Sequence, residues 1–432
     1  MKSFAIRFLV GATLLLQLDF AWSAETIRIA LIGGLSGPYA LQDEEFLKNV
    51  EMAADIVNTK GGVLGGRRLE ILPFDGKANP QESLIVLKQA IDQSIRYVMS
   101  GRSNIALAIS DAVAKHNARN PDRVVLFLNY NGLDPVLTES KCNFWHFRFY
   151  SHADTLVSVL TDQMAKRQSV HKVYLINQDY AYGQAAARAA KETLAARRPG
   201  VQVVGDDLIP LQKIRDFAPY VAKIRASGAD SVLTANWGSD FILLIKAANE
   251  MGLKADFYTI GATTPGTAVA IGTAGAERVR TASSWHINAA DAAWQKTLLD
   301  YKARYKSITH LDSLVAIRPV QMIAAAMDKA GTTDPMKVAF ALEGMRYAGP
   351  SGDSWMRAED HQMIVPISIL RFTKAGQPGV KYDEEGTGYG WKTEVLIEAK
   401  DIIPPMKCSM ERRRSRDRLS NRNENRPLIP PS

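Results

Sequence analysis

The stretch IRIALIGGLSGPYALQ, residues 27–42, decides how the rest of the chain is read. Ile27, Ile29, Leu31 and Ile32 form a short β-rich apolar run that stops at Gly33-Gly34, and a polar turn then leads into a helical pattern. In an open parallel α/β sheet, ligands sit in the crevice beyond the carboxyl ends of the strands, so a site should begin at this turn. A dinucleotide fingerprint needs Gly-x-Gly-x-x-Gly, and Gly33, Gly34 and Gly37 are out of that register. The turn points to a small-ligand crevice rather than a nucleotide site.

Working outward, Phe46, Val50, Ala53, Ala54 and Val57 recur at helical spacing, and Gly61-Gly62 ends that helix. Strands are expected at 68–74, 97–99 and 124–128, with helices at 79–93 and from 104 to 117 between them. A second series follows, with strands at 172–176, 201–209, 231–235 and 257–260 and helices at 184–197, 217–227 and 241–251. The order is α/β throughout and implies two Rossmann-like, doubly wound parallel sheets facing each other across a cleft. The last third mixes helical patterns at 293–305, 311–330 and 335–342 with strands at 364–372 and 394–398. That mixture fits a chain that returns to the first lobe and crosses again to the second.

The chain has 432 residues, 46% of them hydrophobic, enough for two lobes with cores of their own. Residues 1–23 carry Lys2 and Arg7 ahead of an apolar run from Phe8 to Leu18, too short for a membrane span, and Ala21-Trp22-Ser23 supplies small residues for cleavage. Export is therefore expected, with the mature start near Ala24. The leader holds a net +1 and residues 409–432 a net +4, which leaves +3 of the overall +8 for residues 24–408. A near-neutral body gives no reason to expect nucleic acid. The Arg-rich, Pro-rich tail at 409–432 is expected to be disordered. Two cysteines, Cys142 and Cys408, in an exported chain are expected to form a disulfide; two unpaired thiols are the alternative.

GGLSGPYA at 33–40, NTKGGVLGGRRLEI at 58–71, the turn around Asp75 and Asn79-Pro80, NQDYAYG at 177–183 and GDSWMRAEDHQ at 352–362 together resemble the type I periplasmic solute-binding proteins. Within that family the pattern is similar to the branched-chain amino acid (leucine/isoleucine/valine) receptors of ATP-driven importers, over about residues 25–405. The resemblance implies two lobes joined by a three-strand hinge, closing on one small solute and docking to an ABC permease in the inner membrane, with no cofactor or metal and a monomeric state. Lobe 1 is expected at 24–145 plus 287–352 and lobe 2 at 146–284 plus 355–405, with the hinge near 144–151, 281–286 and 351–357.

The resemblance also implies contact positions. Gln42 stands where the first turn places a side chain over the ligand. Ser103 and Asn104 stand in the loop that binds a carboxylate, with Arg102 beside them, and Asn131 and Gly132 at the next strand end. From the second lobe come Tyr182 and the aromatic lid Trp237; Tyr150, Ala262 and Thr263 complete the set, with Tyr39 as a further candidate. The acid that pairs a ligand ammonium in the family would fall within residues 261–263, Gly-Ala-Thr, and is missing; Asp179 is the substitute within reach. A buried ammonium without a carboxylate costs several kcal/mol, so an aromatic or short-chain carboxylate, or an amide, is expected over a branched-chain amino acid.

Bland readings stand beside these. Ser103 and Asn104 are good helix caps, Tyr182 and Trp237 could be ordinary half-buried aromatics, and Tyr39 a turn residue beside Pro38. His286 and His361 have no ligand-spaced neighbour, and no nucleophile elbow surrounds Ser103 or Ser283. The expectation is a non-enzymatic receptor. A sensory protein signalling to a membrane partner is the alternative, and a secreted hydrolase a distant one.

Overall fold

The computed structural model describes residues 25–289, 292–307, 316–349 and 352–411. The leader at 1–23 and the tail from 412 lie outside the described residues, as does the start of the helix expected at 311–330. The first run alternates β1 (Ile27–Gly33), α1 (Ala40–Thr59), β2 (Leu69–Asp75), α2 (Pro80–Asp92), β3 (Tyr97–Gly101), α3 (Ser103–Arg119), β4 (Leu126–Asn131) and β5 (His146–Arg148). Its sheet has the order β2-β1-β3-β4-β5, all parallel, with β1 at the reversal between β2 and β3. Both faces are covered, which is why the strands read as continuous apolar runs such as IRIAL. Local chemistry sets the helix starts: Asn79 accepts from the amides of Gln81 and Glu82 ahead of α2, with Pro80 in the first turn where no amide is needed.

The chain then passes through α4 (Ala153–Ala165), β6 (Lys172–Gln178), α5 (Ala181–Arg197), β7 (Gln202–Ile209), α6 (Ala218–Ala226), β8 (Ser231–Thr234), α7 (Ser239–Glu250), β9 (Asp256–Thr259), α8 (Thr267–Gly275) and β10 (Val279–Ser283). It returns to the first core through α9 (Ala292–Tyr305), α10 (Arg318–Ala330), α11 (Pro335–Leu342) and the small antiparallel sheet of β11 (Arg346–Gly349), β12 (Gly352–Met356) and β13 (Met363–Ile364). It ends on β14 (Ile367–Lys374) and β15 (Tyr389–Ile397). The second sheet has the order β15-β14-β10-β9-β8-β6-β7, with β14 and β15 antiparallel. One core packs α4 and α5 on one face and another packs α6, α7 and α8 on the other.

Two expected boundaries differ. His146–Arg148 pairs with β4, Phe127 opposite His146, so the first lobe continues past residue 145. The third crossing falls not at 351–357 but at Pro366: Met356, Met363 and Val365 lie in the first core and Ile367 in the second. Residues 364–372 look like one strand in sequence, but Pro366 has no amide to donate and divides the run.

Cys142 and Cys408 are joined by a disulfide with Cα atoms 5.8 Å apart. It brings the segment after β15 back to the first lobe, where Arg357 also donates to the carbonyl of Pro404 at 2.6 Å and Lys407 pairs with Glu139 at 3.1 Å. Closing a loop across a sequence separation of 266 removes much of the unfolded chain's freedom. Replacing both cysteines by serine should lower stability by about 2–4 kcal/mol in urea unfolding, and reductant should do the same to the unsubstituted protein. Equal unfolding midpoints with and without reductant would count against this.

Candidate functional site

Loops at the carboxyl ends of both sheets meet over two adjoining cavities. The first, of about 130 Å³, is lined from the first lobe by Gln42, Phe46, Arg102, Ser103, Tyr130 and Asn131. Tyr150, Tyr180, Tyr182, Trp237 and Thr263 enclose it from the other side. Phe46 stacks on Tyr130 at 4.6 Å between centroids. Close backbone approach shapes both walls: a Cβ on Gly101 would stand 2.7 Å from the Tyr130 ring, and one on Gly183 would stand 1.9 Å from the Gln178 carbonyl oxygen.

The roof is Arg102. Its backbone is left-handed (φ 59°), unusual for a residue with a side chain, and its guanidinium donates to Asp43 Oδ2 at 2.5 Å. The same carboxylate oxygen accepts from the amide of Gly34. Burial alone would lower the Arg102 pKa; Asp43 outweighs this and raises it. The guanidinium lies 4.5 Å from the Tyr39 ring centroid and 5.6 Å from that of Trp237, and the two rings are 5.6 Å apart. Trp237 is fixed in turn by its indole N–H donating to the Tyr180 hydroxyl at 2.9 Å. Tyr39 and Arg102 belong to the first lobe and Trp237 to the second, so this stack spans the cleft in a closed arrangement.

Of the positions singled out in sequence, Gln42, Arg102, Ser103, Asn131, Tyr150, Tyr182, Trp237 and Thr263 line the first cavity. Ala262 lines the second cavity instead. Asn104 is exposed on α3, and Gly132 does not line the cavity, its amide donating to Asn129 Oδ1 at 2.6 Å. Ser103 Oγ accepts from the amides of Leu133 and Asp134, so it braces the loop after β4 rather than capping a helix. Asp179 is exposed, accepts from Gln184 and lies outside both cavities, so it supplies no substitute acid. Tyr39 lines neither cavity and packs against Arg102 and Trp237 instead. Asp43, Phe46, Tyr130 and Tyr180 were not singled out; the helical spacing of Gln42, Phe46 and Asn49 was the signal for one of them.

The second cavity, about 100 Å³, runs toward the strand crossings and is lined by Glu45, Asn49, Ser284, His286, Glu384 and Glu385 among others. His286 Nε2 lies 2.7 Å from Thr393 Oγ1, and burial pushes its pKa down to about 4. His361 stacks on Phe147 at 3.8 Å and bonds Glu343 at 3.1 Å. Among the described residues no group of His, Cys, Asp and Glu is arranged to hold a metal. Burial, with the neighbouring Glu385, pushes Glu384 up to about 8 from 4.5. Between those values the folded chain holds a proton that the unfolded chain has released, so the Glu384 contribution to stability declines as pH rises from about 4.5 to 8. Glu384→Gln should flatten that limb in melts taken across the range; an unchanged slope would show that Glu384 titrates normally.

The description "periplasmic binding protein" fits a family model that matches residues 26–377. The Leu/Ile/Val-binding protein homolog 4 of Brucella abortus is 33% identical over 405 residues, 90% of this chain and 94% of that protein. The crystal structure of a leucine-, isoleucine-, valine-, threonine- and alanine-binding protein from Brucella ovis, in a closed conformation, aligns with a TM-score of 0.81 at 30% identity over 90% of this chain and all of that one. An ABC-transporter solute-binding protein from Rhodopseudomonas palustris in complex with 3,4-dihydroxybenzoic acid aligns with a TM-score of 0.74 over 87% of this chain and 98% of that one; at 18% identity it speaks for the fold alone. Two sheets closing over a cavity at their strand ends, and relatives that match along nearly the whole chain, lead to one conclusion: the chain belongs to the periplasmic binding protein family.

Proposed function

We propose that the chain is the periplasmic receptor of an ATP-driven importer and that its solute is a small aromatic or short-chain carboxylate, or an amide, rather than a branched-chain amino acid. The observation that carries this is the state of Asp43. Among the described residues it is the carboxylate lining the first cavity, and it is already engaged by Arg102 and the Gly34 amide, so a ligand ammonium would find no open counter-charge there. An unpaired buried ammonium costs several kcal/mol, whereas an amide or carboxylate can use the side chains of Gln42 and Asn131 and the Tyr182 hydroxyl. The cavity's size also supports the reading: at about 130 Å³ it is close to the ~150 Å³ void known to take benzene.

Closure is a hinge rotation of the lobes at the three crossings, near residues 149–152, 284–287 and 365–367, which presents both lobes to the permease. The protein acts as a monomer, without cofactor, nucleic acid or chemistry on the solute.

Thermal-shift screening against amino acids, aromatic acids, amides and dicarboxylates tests the ligand class, since binding raises apparent stability by mass action. If leucine or valine stabilises best, the class is wrong. Trp237→Ala should weaken the best ligand by about 1–3 kcal/mol, the range for a lost aromatic contact and its burial; unchanged affinity would remove Trp237 from the site.

One observation favours a second reading. Glu384, poised near 8, could ionise against a ligand amine in the second cavity. Calorimetry in buffers of different ionisation enthalpy separates the two: proton release on binding marks an amine, and none marks an acid or amide.

A further inference from the structure

The face of the second sheet that packs against α4 also carries a groove of about 420 Å³, which shares no lining residue with the cleft cavities. Its floor is a row of side chains in register across four adjacent strands. Tyr258 on β9 pairs with Arg280 on β10, Arg280 with Arg371 on β14, and Arg371 with Lys392 on β15. Three cations side by side on neighbouring strands oppose one another.

The protein offsets only part of this. Glu394 bridges Arg280 and Arg371, each at 3.0 Å; Asp256 and Glu277 add pairs at 3.4 and 2.6 Å, and Asp162 holds Lys166 at the rim. Lys392 and Arg167, just past the end of α4, have no such carboxylate among the described residues. The Nε of Arg167 is buried without a hydrogen-bond partner, and so is the hydroxyl of Tyr258, a residue only 1% exposed; both line the groove. Buried donors left unpaired cost free energy unless a guest brings acceptors. The guest must be compact, anionic and rich in acceptor oxygens, because the charges left unpaired in the groove are cations and its buried polar atoms without a hydrogen bond are donors.

We propose that this groove binds a small oxyanion of the phosphate type, held by Arg167, Lys392 and the Tyr258 hydroxyl over the Arg280–Arg371 floor. Two sources share that chemistry, free phosphate and a phospholipid headgroup.

The test is titration of the full chain with inorganic phosphate at constant ionic strength, with chloride as the control. Saturable binding is expected, weakened roughly tenfold by Arg167→Gln and by Tyr258→Phe, the loss of one charge-assisted hydrogen bond each. Tyr258→Phe removes an unsatisfied hydroxyl without changing shape, so it should fold at least as stably, and cleft-ligand binding should survive both changes. Cosedimentation with phosphatidylglycerol vesicles that phosphate displaces and both variants lose assigns the headgroup; phosphate binding without vesicle binding assigns the free anion. Phosphate that fails to saturate, or binds the unsubstituted protein and both variants alike, overturns the proposal.

Discussion

Replacing Asp43 by alanine should lower stability by about 3–5 kcal/mol, the range for breaking a buried ion pair from one side. The side chains are 5% exposed for Asp43 and 15% for Arg102, so little water is available to take the aspartate's place beside the guanidinium. The change would strand a charge beside the Tyr39 and Trp237 rings and free the Gly34 amide at the end of β1. Because that charge is also the roof of the cavity, the closed arrangement should suffer with the fold, visible as a larger radius of gyration in solution scattering. Asp43→Ala combined with Arg102→Met should recover part of the loss, since an apolar pair of similar volume carries no desolvated charge. If the single substitution costs under about 1 kcal/mol, the pair is behaving as a surface salt bridge and closure does not rest on it.

Much of the architecture was open to reading because parallel strands covered on both faces leave unbroken apolar runs, and capped helices leave Asn-Pro and Gly-Gly punctuation. Two of the elements that escaped have identifiable causes. β5 is three residues long and carries His146 and Arg148, which are buried for their hydrogen bonds and give no apolar signal. α8 contains Gly272 in a non-helical conformation, so TAVAIGTAG reads as loop. Within the site, the misses are single steps of geometry. Successive helix residues turn by about 100°, so Ser103 faces inward and its neighbour Asn104 outward. Asn131 lines the cavity while the Gly132 amide is already taken by Asn129. Asp43 and Glu384 could not be found by motif at all, because what makes each distinctive is a neighbour supplied by the fold: Arg102 for one, burial beside Glu385 for the other.

Arg148→Met carries the other large expected effect, again about 3–5 kcal/mol of stability, by a different route. Arg148 is fully buried with no carboxylate at ion-pair distance among the described residues, and burial pulls its pKa down to about 10. It is kept charged by oxygens instead: Nε donates to Gln362 Oε1 at 2.7 Å, Nη1 to the Asp134 carbonyl at 2.6 Å, and Nη2 to Thr138 Oγ1. Methionine would fill much of the space and return none of these bonds, leaving the Asp134 carbonyl to the Leu137 amide and the Gln362 amide oxygen to the Thr138 hydroxyl, each at 3.3 Å, with about 1.5–3 kcal/mol lost for each charge-assisted bond. The damage should reach the ligand, because both partners are tied to residues that line the cleft. The loop that Arg148 holds follows directly from Asn131, and Gln362 donates to the Tyr150 carbonyl at 2.7 Å. Lysine keeps the charge but lacks the planar fork, so Arg148→Lys should fall between the two in both urea unfolding and ligand affinity. Should Arg148→Met unfold at the same urea concentration as the unsubstituted chain and bind the cleft ligand equally well, the first crossing is held by packing alone and the arginine's bonds are dispensable.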